Sequence, residues 1–168
     1  MASEPVATAE EYRALAGHFP SGVVVVTSAD PHTGEMHGVT VSAFAGLSLD
    51  PPQVIVCLNR AAQSHTFLTT RSHFAVNLLA RRQAAIAERF AGRAPLVSGE
   101  FDGVAYRLGL GGVPLLGGCV GWFECRRHAV YPGGDHSIVV GDVLAATLGH
   151  DDDPLVLFTG RYTRLEWG

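Results

Sequence analysis

The chain consists largely of short apolar runs in which β-branched residues dominate, separated by turns rich in glycine, proline and aspartate. Residues 23–26 are four consecutive valines, the pattern of a strand that is buried on both faces. Residues 38–44 alternate between polar and apolar positions, as a half-buried strand does. Two longer alternating runs, 119–131 and 135–147, flank Pro132-Gly133-Gly134, and we predict that they pair as an antiparallel hairpin.

Helical signals are few and short. Thr8-Ala9-Glu10-Glu11 is a capping-box pattern, and it predicts a helix over about residues 8–18 that ends before Pro20. Residues 81–90 form a second predicted helix, which Gly92 ends.

The elements together predict the fold class. They amount to roughly seven or eight strands with short helices and no repeated strand–helix–strand unit. We therefore predict a mainly β (α+β) fold, a closed antiparallel barrel over about residues 20–165 with short flanking helices. Gly141 falls inside the last long strand, where it would permit a bulge or a sharp bend. Residues 1–168 are expected to form a single domain.

Composition adds an expectation about assembly. Hydrophobic residues make up 47% of the chain and charged residues only 17%, and the mean hydropathy is +0.19. Surface that stays apolar usually finds a partner, so we expect a homodimer. The net charge of −4 argues against binding to nucleic acid or to an anionic membrane surface.

Localisation follows from the cysteines and from the apolar segments. No apolar run approaches the roughly 20 residues that a membrane helix needs, and residues 1–11 lack the pattern of a signal peptide. The three cysteines contain no C-x-x-C pair, and on one strand Cys119 and Cys125 would lie about 20 Å apart, too far to bridge. We therefore expect a cytoplasmic protein with reduced thiols.

Several common chemistries find no support. The eight histidines show no zinc-type spacing, so no metal site is expected, and no Gly-x-Ser-x-Gly motif suggests a serine hydrolase. The glycine-rich segment 108–118 has no lysine after it and does not connect a buried strand to a long helix, so it is interpreted as a turn rather than a phosphate loop.

Two polar clusters remain as candidates for ligand binding. In the first, Thr40 and Ser42 share one face of a strand with Phe44, an arrangement that suits a flat ligand with polar edges. The second follows the next strand and offers the donor types that a phosphate needs; its members are Asn59, Arg60, Ser64 and Thr66. Either cluster alone is equally well explained by the preference of Thr and Ser for strands and turns, and it is their combination that favours a ligand.

Gly134-Asp135-His136 lies at the turn of the long hairpin. The acid could fix one ring nitrogen of His136 while the other nitrogen faces a ligand. The alternative is a turn aspartate that caps the backbone beside an exposed histidine.

Taken in order, these segments resemble the flavin reductase family of two-component monooxygenases, the short-chain NAD(P)H:flavin oxidoreductases with a Greek-key split β-barrel of the FMN-binding type. The resemblance extends from about Phe19 to Leu165. One departure is Ala45-Gly46, where relatives often carry a hydroxyl. The matching segments are residues 19–23 (FPSGV), 38–44 (GVTVSAF), 48–52 (SLDPP), 74–79 (FAVNLL), 134–136 (GDH), 141–143 (GDV) and 160–162 (GRY).

The resemblance implies roles for particular residues. The strand segment Thr40, Val41, Ser42 and Ala43 would contact the isoalloxazine ring and the ribityl chain. Cys57 and Asn59 would lie behind the flavin, and Arg60, Ser64 and Thr66 would receive its phosphate. His136, beside Asp135, would seat the nicotinamide and is the catalytic candidate. Phe90 and Tyr162, with Arg89, would border the site.

The implied activity is hydride transfer from NADH or NADPH to FMN or FAD, followed by delivery of reduced flavin to a separate monooxygenase. Two alternatives stay open: a flavoprotein oxidoreductase that holds its flavin tightly and acts directly on an organic substrate, and a flavin-binding subunit without turnover. The sequence does not decide between FMN and FAD or between NADH and NADPH.

Overall fold

A computed structural model describes residues 4–94 and 99–166. Residues 1–3, 95–98 and 167–168, which the predicted single domain includes, lie outside the described residues. The helices are α1 (Ala9–Ala16), α2 (His65–Thr70) and α3 (Ala84–Phe90), with single 3₁₀ turns at Arg81–Gln83 and Leu110–Gly112. The strands are β1 (Ser21–Gly22), β2 (Val24–Ala29), β3 (Met36–Val41), β4 (Phe44–Leu49), β5 (Pro52–Asn59), β6 (His73–Leu78), β7 (Tyr106–Leu108), β8 (Pro114–Leu116), β9 (Gly121–Gly133), β10 (His136–Leu148), β11 (Val156–Phe158) and β12 (Arg161–Thr163).

Seven strands form the main sheet, in the order β3-β2-β6-β9-β10-β5-β4, and every ladder in it is antiparallel. A three-stranded sheet, β1-β11-β12, and the hairpin β7-β8 pack beside it. The predicted mainly β fold with antiparallel pairing and short flanking helices is therefore confirmed. The capping box at Thr8 is confirmed as well, since the Thr8 side chain accepts from the Glu11 amide and the Glu11 carboxylate accepts from the Thr8 amide.

The predicted closure of the barrel is not observed. Across the part of the chain that the structure describes, no ladder joins the edge strands β3 and β4, so the main sheet stays open. The reason lies in the corner at Ser42-Ala43, where the chain leaves β3, which pairs with β2, and enters β4, which pairs with β5. At this corner the Cys57 amide donates to the Ala43 carbonyl at 3.0 Å. Beyond that bond the free edge of β3 and the end of β5 are separated by a gap.

β2 separates two apolar cores, and every residue of this strand is buried. Val24 and Val26 point into the core enclosed by the curved main sheet. Val23 and Val25 point the other way, into a second core that includes Phe90 of α3. The prediction that the valine run is buried on both faces is thus confirmed, and its two faces connect the sheet interior to α3.

Gly141 marks a bend in the β9–β10 hairpin. The pairing register shifts between Val140 and Gly141, as the sequence predicted for a bulge. A Cβ atom at position 141 would lie 2.5 Å from Cζ of Phe74, a ring that is itself buried in the sheet interior. The glycine is therefore required because the strand passes directly over the Phe74 ring.

We predict that Gly141→Ala lowers the free energy of unfolding by about 1–3 kcal/mol, since the Phe74 ring has no free space into which it can move. Gly46→Ala is the matched control, because Gly46 also lies beside a register shift in a strand but has no atom within 4 Å of the added Cβ. Urea denaturation of the two variants measures the difference. Equal stabilities would contradict the proposed clash.

Candidate functional site

A cavity of about 160 Å³ occupies the gap between the β3–β4 corner and the end of β5. Its walls bring together residues that are far apart in the sequence, from three different strands and a corner. The lining residues are Val39, Thr40, Val41, Ser42, Ala43, Cys57, Leu58, Asn59 and His136. The strand segment predicted to contact a flavin, the two residues predicted to lie behind it and the predicted nicotinamide residue therefore surround one space.

The free edge of β3 supplies backbone donors to this wall. The Gly38 amide donates to Oε2 of Glu100 at 3.1 Å, so it points away from β2 and out of the ladder. Amides on one strand alternate in direction, so the Thr40 amide, two residues further, faces the same free edge. The cavity wall can thus offer a main-chain N–H to a polar ligand edge, independently of any side chain.

The Thr40 side chain points away from the cavity. Its hydroxyl donates to the Ala87 carbonyl of α3 at 2.6 Å. Phe90, one turn further along α3, packs beneath β3, and a Cβ atom at Gly38 would lie 2.6 Å from Cδ1 of the ring. Phe90 is 4% exposed and lies behind the cavity wall rather than on its surface.

His136 and Asp135 form a pair at the mouth of the cavity. Nδ1 of His136 lies 2.7 Å from Oδ1 of Asp135, which is the contact that the sequence suggested. The hydrogen bond and the charge of the imidazole hold the pKa of the Asp135 carboxyl below its ordinary value, with a smaller contribution from Arg60. Asn59 is directly opposite His136 in the β5–β10 ladder. With Nδ1 engaged, Nε2 is the ring atom that a ligand in the cavity can meet.

The predicted phosphate residues lie beyond the lining of the cavity, in the turn that continues from Asn59 into α2. The Asn59 side chain accepts from the Ala61 amide at 2.8 Å, and the Arg60 amide donates to the Asp135 carbonyl at 3.0 Å. Ser64 is buried at the start of α2, whereas Arg60 and Thr66 are exposed. Arg60, Ser64 and Thr66 therefore follow Asn59, a residue of the cavity lining, along the chain.

Tyr162 lies outside the cavity, on the far side of α3. Its hydroxyl donates to Oε1 of Glu88 at 2.6 Å, and Arg93 donates to both Glu88 oxygens at 2.9 Å. These bonds, that from Arg93 first, lower the pKa of Glu88 to about 2. Burial and the neighbouring Glu88 raise the pKa of Tyr162.

Sequence reasoning did not find several residues of this region. Val39 and Leu58 line the cavity, yet apolar residues in a strand carry no signal of a ligand. Ala87 and Glu100 accept long-range bonds from β3, and Glu88 accepts one from β12, and no local pattern predicts these bonds.

The thiols and the other titratable groups limit the chemistry of the site. Cys57 lies half-buried in the cavity wall, while Cys119 and Cys125 are buried. Burial raises the pKa of Cys119 to about 11 and that of Cys125 to about 12, so both remain thiols at neutral pH.

Within residues 4–94 and 99–166, no three potential metal ligands gather into a cluster. No helix of the same residues is long and apolar enough to cross a membrane.

The cavity lining therefore combines main-chain donors, small hydroxyl and amide side chains and one histidine, without a carboxylate pair. Such a lining positions a ligand but supplies little acid–base chemistry of its own. Redox chemistry at such a site belongs to the molecules that bind there.

Comparison with curated proteins identifies close relatives. The chain is 38% identical over 157 residues to an NADH-dependent FAD reductase of Streptomyces globisporus, covering 92% of this chain and 84% of the relative. It is also 38% identical over 159 residues to the reductase component of 4-hydroxyphenylacetate 3-monooxygenase of Thermus thermophilus, covering 94% and 97%.

A solved structure agrees with these matches over nearly the whole length. The Streptomyces globisporus NADH:FAD oxidoreductase in complex with NAD and FAD fragments superposes with a TM-score of 0.86, at 35% identity, covering 98% of each chain. The family model described as "Flavin reductase like domain" matches residues 16–166. With its open antiparallel sheet and its cavity at the β3 edge, this chain belongs to the flavin reductase-like family.

Proposed function

We propose that the protein is an NAD(P)H:flavin oxidoreductase, which reduces FMN or FAD and releases the reduced flavin to a separate monooxygenase. The observation that carries this proposal is the cavity at the free edge of β3, where Thr40–Ala43, Cys57, Asn59 and His136 meet. The relatives named as an NADH-dependent FAD reductase and as a monooxygenase reductase component support it.

The residues present fit a flavin. A flat ring system with polar edges needs donors in one plane, and the free strand edge that bears the Thr40 amide supplies them. Ser42 and Asn59 add side-chain donors and acceptors to the cavity lining. Beyond Asn59, we propose that Arg60, Ser64 and Thr66 hold the phosphate, because their turn continues directly from the cavity wall.

When bound, the flavin supplies the hydride-accepting chemistry, and the nicotinamide supplies the hydride. The chain's own residues bind and orient. Asp135 fixes the His136 ring so that Nε2 faces the cavity, where we propose that it seats the nicotinamide. Holding two rings in contact makes their reaction effectively unimolecular. Main-chain donors at the β3 edge stabilise negative charge that develops on a bound ring.

We expect purified protein to oxidise NADH or NADPH at a rate that rises with added free FMN or FAD. The measurement is the decay of nicotinamide absorbance with each of the four cofactor pairs. A protein that purifies yellow and ignores added flavin would favour a tightly bound flavin that acts on an organic substrate. Absence of oxidation together with flavin binding would favour a non-catalytic subunit, and absence of both would refute the proposal.

Replacing His136 by alanine removes one polar contact to the nicotinamide. We expect His136→Ala to raise the KM for NAD(P)H about two- to ten-fold, the range for loss of one hydrogen bond, while the Kd for flavin changes less. His150→Ala is the matched control, since His150 is exposed and far along the chain from the cavity residues. An unchanged KM for the nicotinamide would remove His136 from the site.

We also propose that the protein is a homodimer. Large apolar side chains are exposed on α1 and at the end of β10, including Leu15 at 78% and Leu148 at 86%. An eight-residue helix such as α1 is marginal in water unless its apolar face is covered. Light scattering is expected to give twice the chain mass of 17.8 kDa. A mass of one chain at micromolar concentration would contradict the dimer.

Finally, we infer a single domain that works in the cytoplasm. The match of one family model to residues 16–166 supports a single domain. The free state of Cys57, Cys119 and Cys125 suits a reducing compartment. Cell fractionation followed by thiol counting tests the localisation, and a disulfide in the isolated protein would contradict it.

A further inference from the structure

The cavity wall formed by β3 has little support from the sheet. Among the described residues, β3 pairs with β2 on one side, and its other edge faces the cavity. A strand in the interior of a sheet is held in place by one ladder on each side. β3 is held by its single ladder with β2, so the distance from β3 to β5 depends on the elements that pack against the face of β3. That distance sets the width of the cavity.

α3 packs against this face and is bonded to it. The Thr40 hydroxyl donates to the Ala87 carbonyl at 2.6 Å. This carbonyl lies in the last turn of α3, where helix carbonyls carry partial negative charge and are good acceptors. It also accepts the Ala91 amide at 3.0 Å, so both of its lone pairs are used. At Gly38 the absence of a side chain lets the Phe90 ring lie directly beneath the strand.

The next residue of α3 is bonded to a different strand. Glu88 accepts a hydrogen bond from Tyr162 of β12 at 2.6 Å and two from Arg93 at 2.9 Å. β12 belongs to the three-stranded sheet, not to the main sheet. α3 is therefore bonded to two other elements. Glu88 connects it to the three-stranded sheet, and Ala87 connects it to β3.

We infer that Thr40 and Tyr162 are positioning residues for the flavin: Tyr162 holds α3 through Glu88, and α3 holds the cavity wall through the Thr40 hydroxyl. The inference rests on the proposed function for the identity of the ligand. Neither hydroxyl is directed at the cavity, since each donates to a residue of α3. Their effect on the ligand passes through the position of β3.

A direct contact between the Thr40 hydroxyl and the flavin is the rival explanation. The two explanations predict different effects when the Thr40 and Tyr162 hydroxyls are removed together. If both act through α3, removing the second hydroxyl adds little once the first is gone. If Thr40 touches the ligand itself, the two effects are independent and add.

The test uses Thr40→Val, which keeps the shape and removes the donor, with Thr40→Ser, Tyr162→Phe and the double variant Thr40→Val/Tyr162→Phe. Thr33→Val and Tyr106→Phe are matched controls on exposed positions. In ligand-free protein, hydrogen–deuterium exchange of the peptide covering residues 38–44 reports how firmly the wall is held, without any contribution from the ligand. Flavin Kd from fluorescence quenching, and KM for NADH and kcat at saturating flavin, report the consequence.

We expect Thr40→Val to speed exchange over residues 38–44 and to raise the flavin Kd about five-fold, with the KM for NADH within about two-fold of wild type. Thr40→Ser is expected to keep the wild-type exchange rate over residues 38–44 and the wild-type flavin Kd. Tyr162→Phe raises exchange in the same peptide and the flavin Kd about two-fold, and the double variant binds flavin no more weakly than Thr40→Val.

Wild-type exchange over residues 38–44 in Thr40→Val would overturn the inference, whether or not flavin binds. So would a Thr40→Ser variant as weak as Thr40→Val, or additive effects in the double variant. If Thr40→Val does not fold, unchanged exchange over 38–44 in Tyr162→Phe is the overturning result. Failure of the wild-type protein to bind flavin would instead refute the proposed function, while the exchange data would still decide the role of Thr40.

Discussion

Among the residues that the structure describes, no strand pairs with the outer edge of β3, and the rest of the structure depends on this edge. β3 is hydrogen-bonded to β2 on one side, and its other side faces β5 across a gap, at whose corner the Cys57 amide donates to the Ala43 carbonyl. Closing this gap with a ladder would use the Thr40 amide for pairing and would fill the cavity. Exposed edges invite pairing with other chains, and this one is short, is capped at Gly38 by Glu100 and turns a corner after Val41.

The chemical character of the cavity follows from that edge. Main-chain amides do not titrate, and no substitution other than proline removes one, so the main-chain part of the wall is insensitive to pH and to most side-chain variation. Asp135 and His136 contribute the titratable groups at the mouth of the cavity. They lie at the turn of the β9–β10 hairpin, which is held in place by the ladder between β10 and β5. In the proposed function, binding and orientation are thus divided between two structural units, the edge strand β3 and the turn of the β9–β10 hairpin.

The sequence predicted local features well because local physics determines them. The capping box at Thr8 depends on four adjacent residues, and the glycine that permits the bend at position 141 is visible in the sequence, although the Phe74 ring that requires it is not. The structure brings Thr40, Cys57 and His136 around one cavity, and their contacts with a flavin or a nicotinamide stay a prediction from the family resemblance. Closure of the barrel could not be predicted in the same way, because it depends on how two edge strands meet after all other ladders are formed. The directions of the Thr40 and Tyr162 hydroxyls also escaped prediction, since their acceptors lie 47 and 74 residues away.

The three bonds to Glu88 have a consequence for acid resistance. A carboxylate whose pKa is lowered from 4.5 to about 2 stabilises the fold fully above about pH 4.5 and loses that contribution only as the pH falls toward 2. The attachment of α3 to the small sheet is therefore unchanged throughout the physiological range. A mildly acidified cell would leave the helix behind the cavity wall attached.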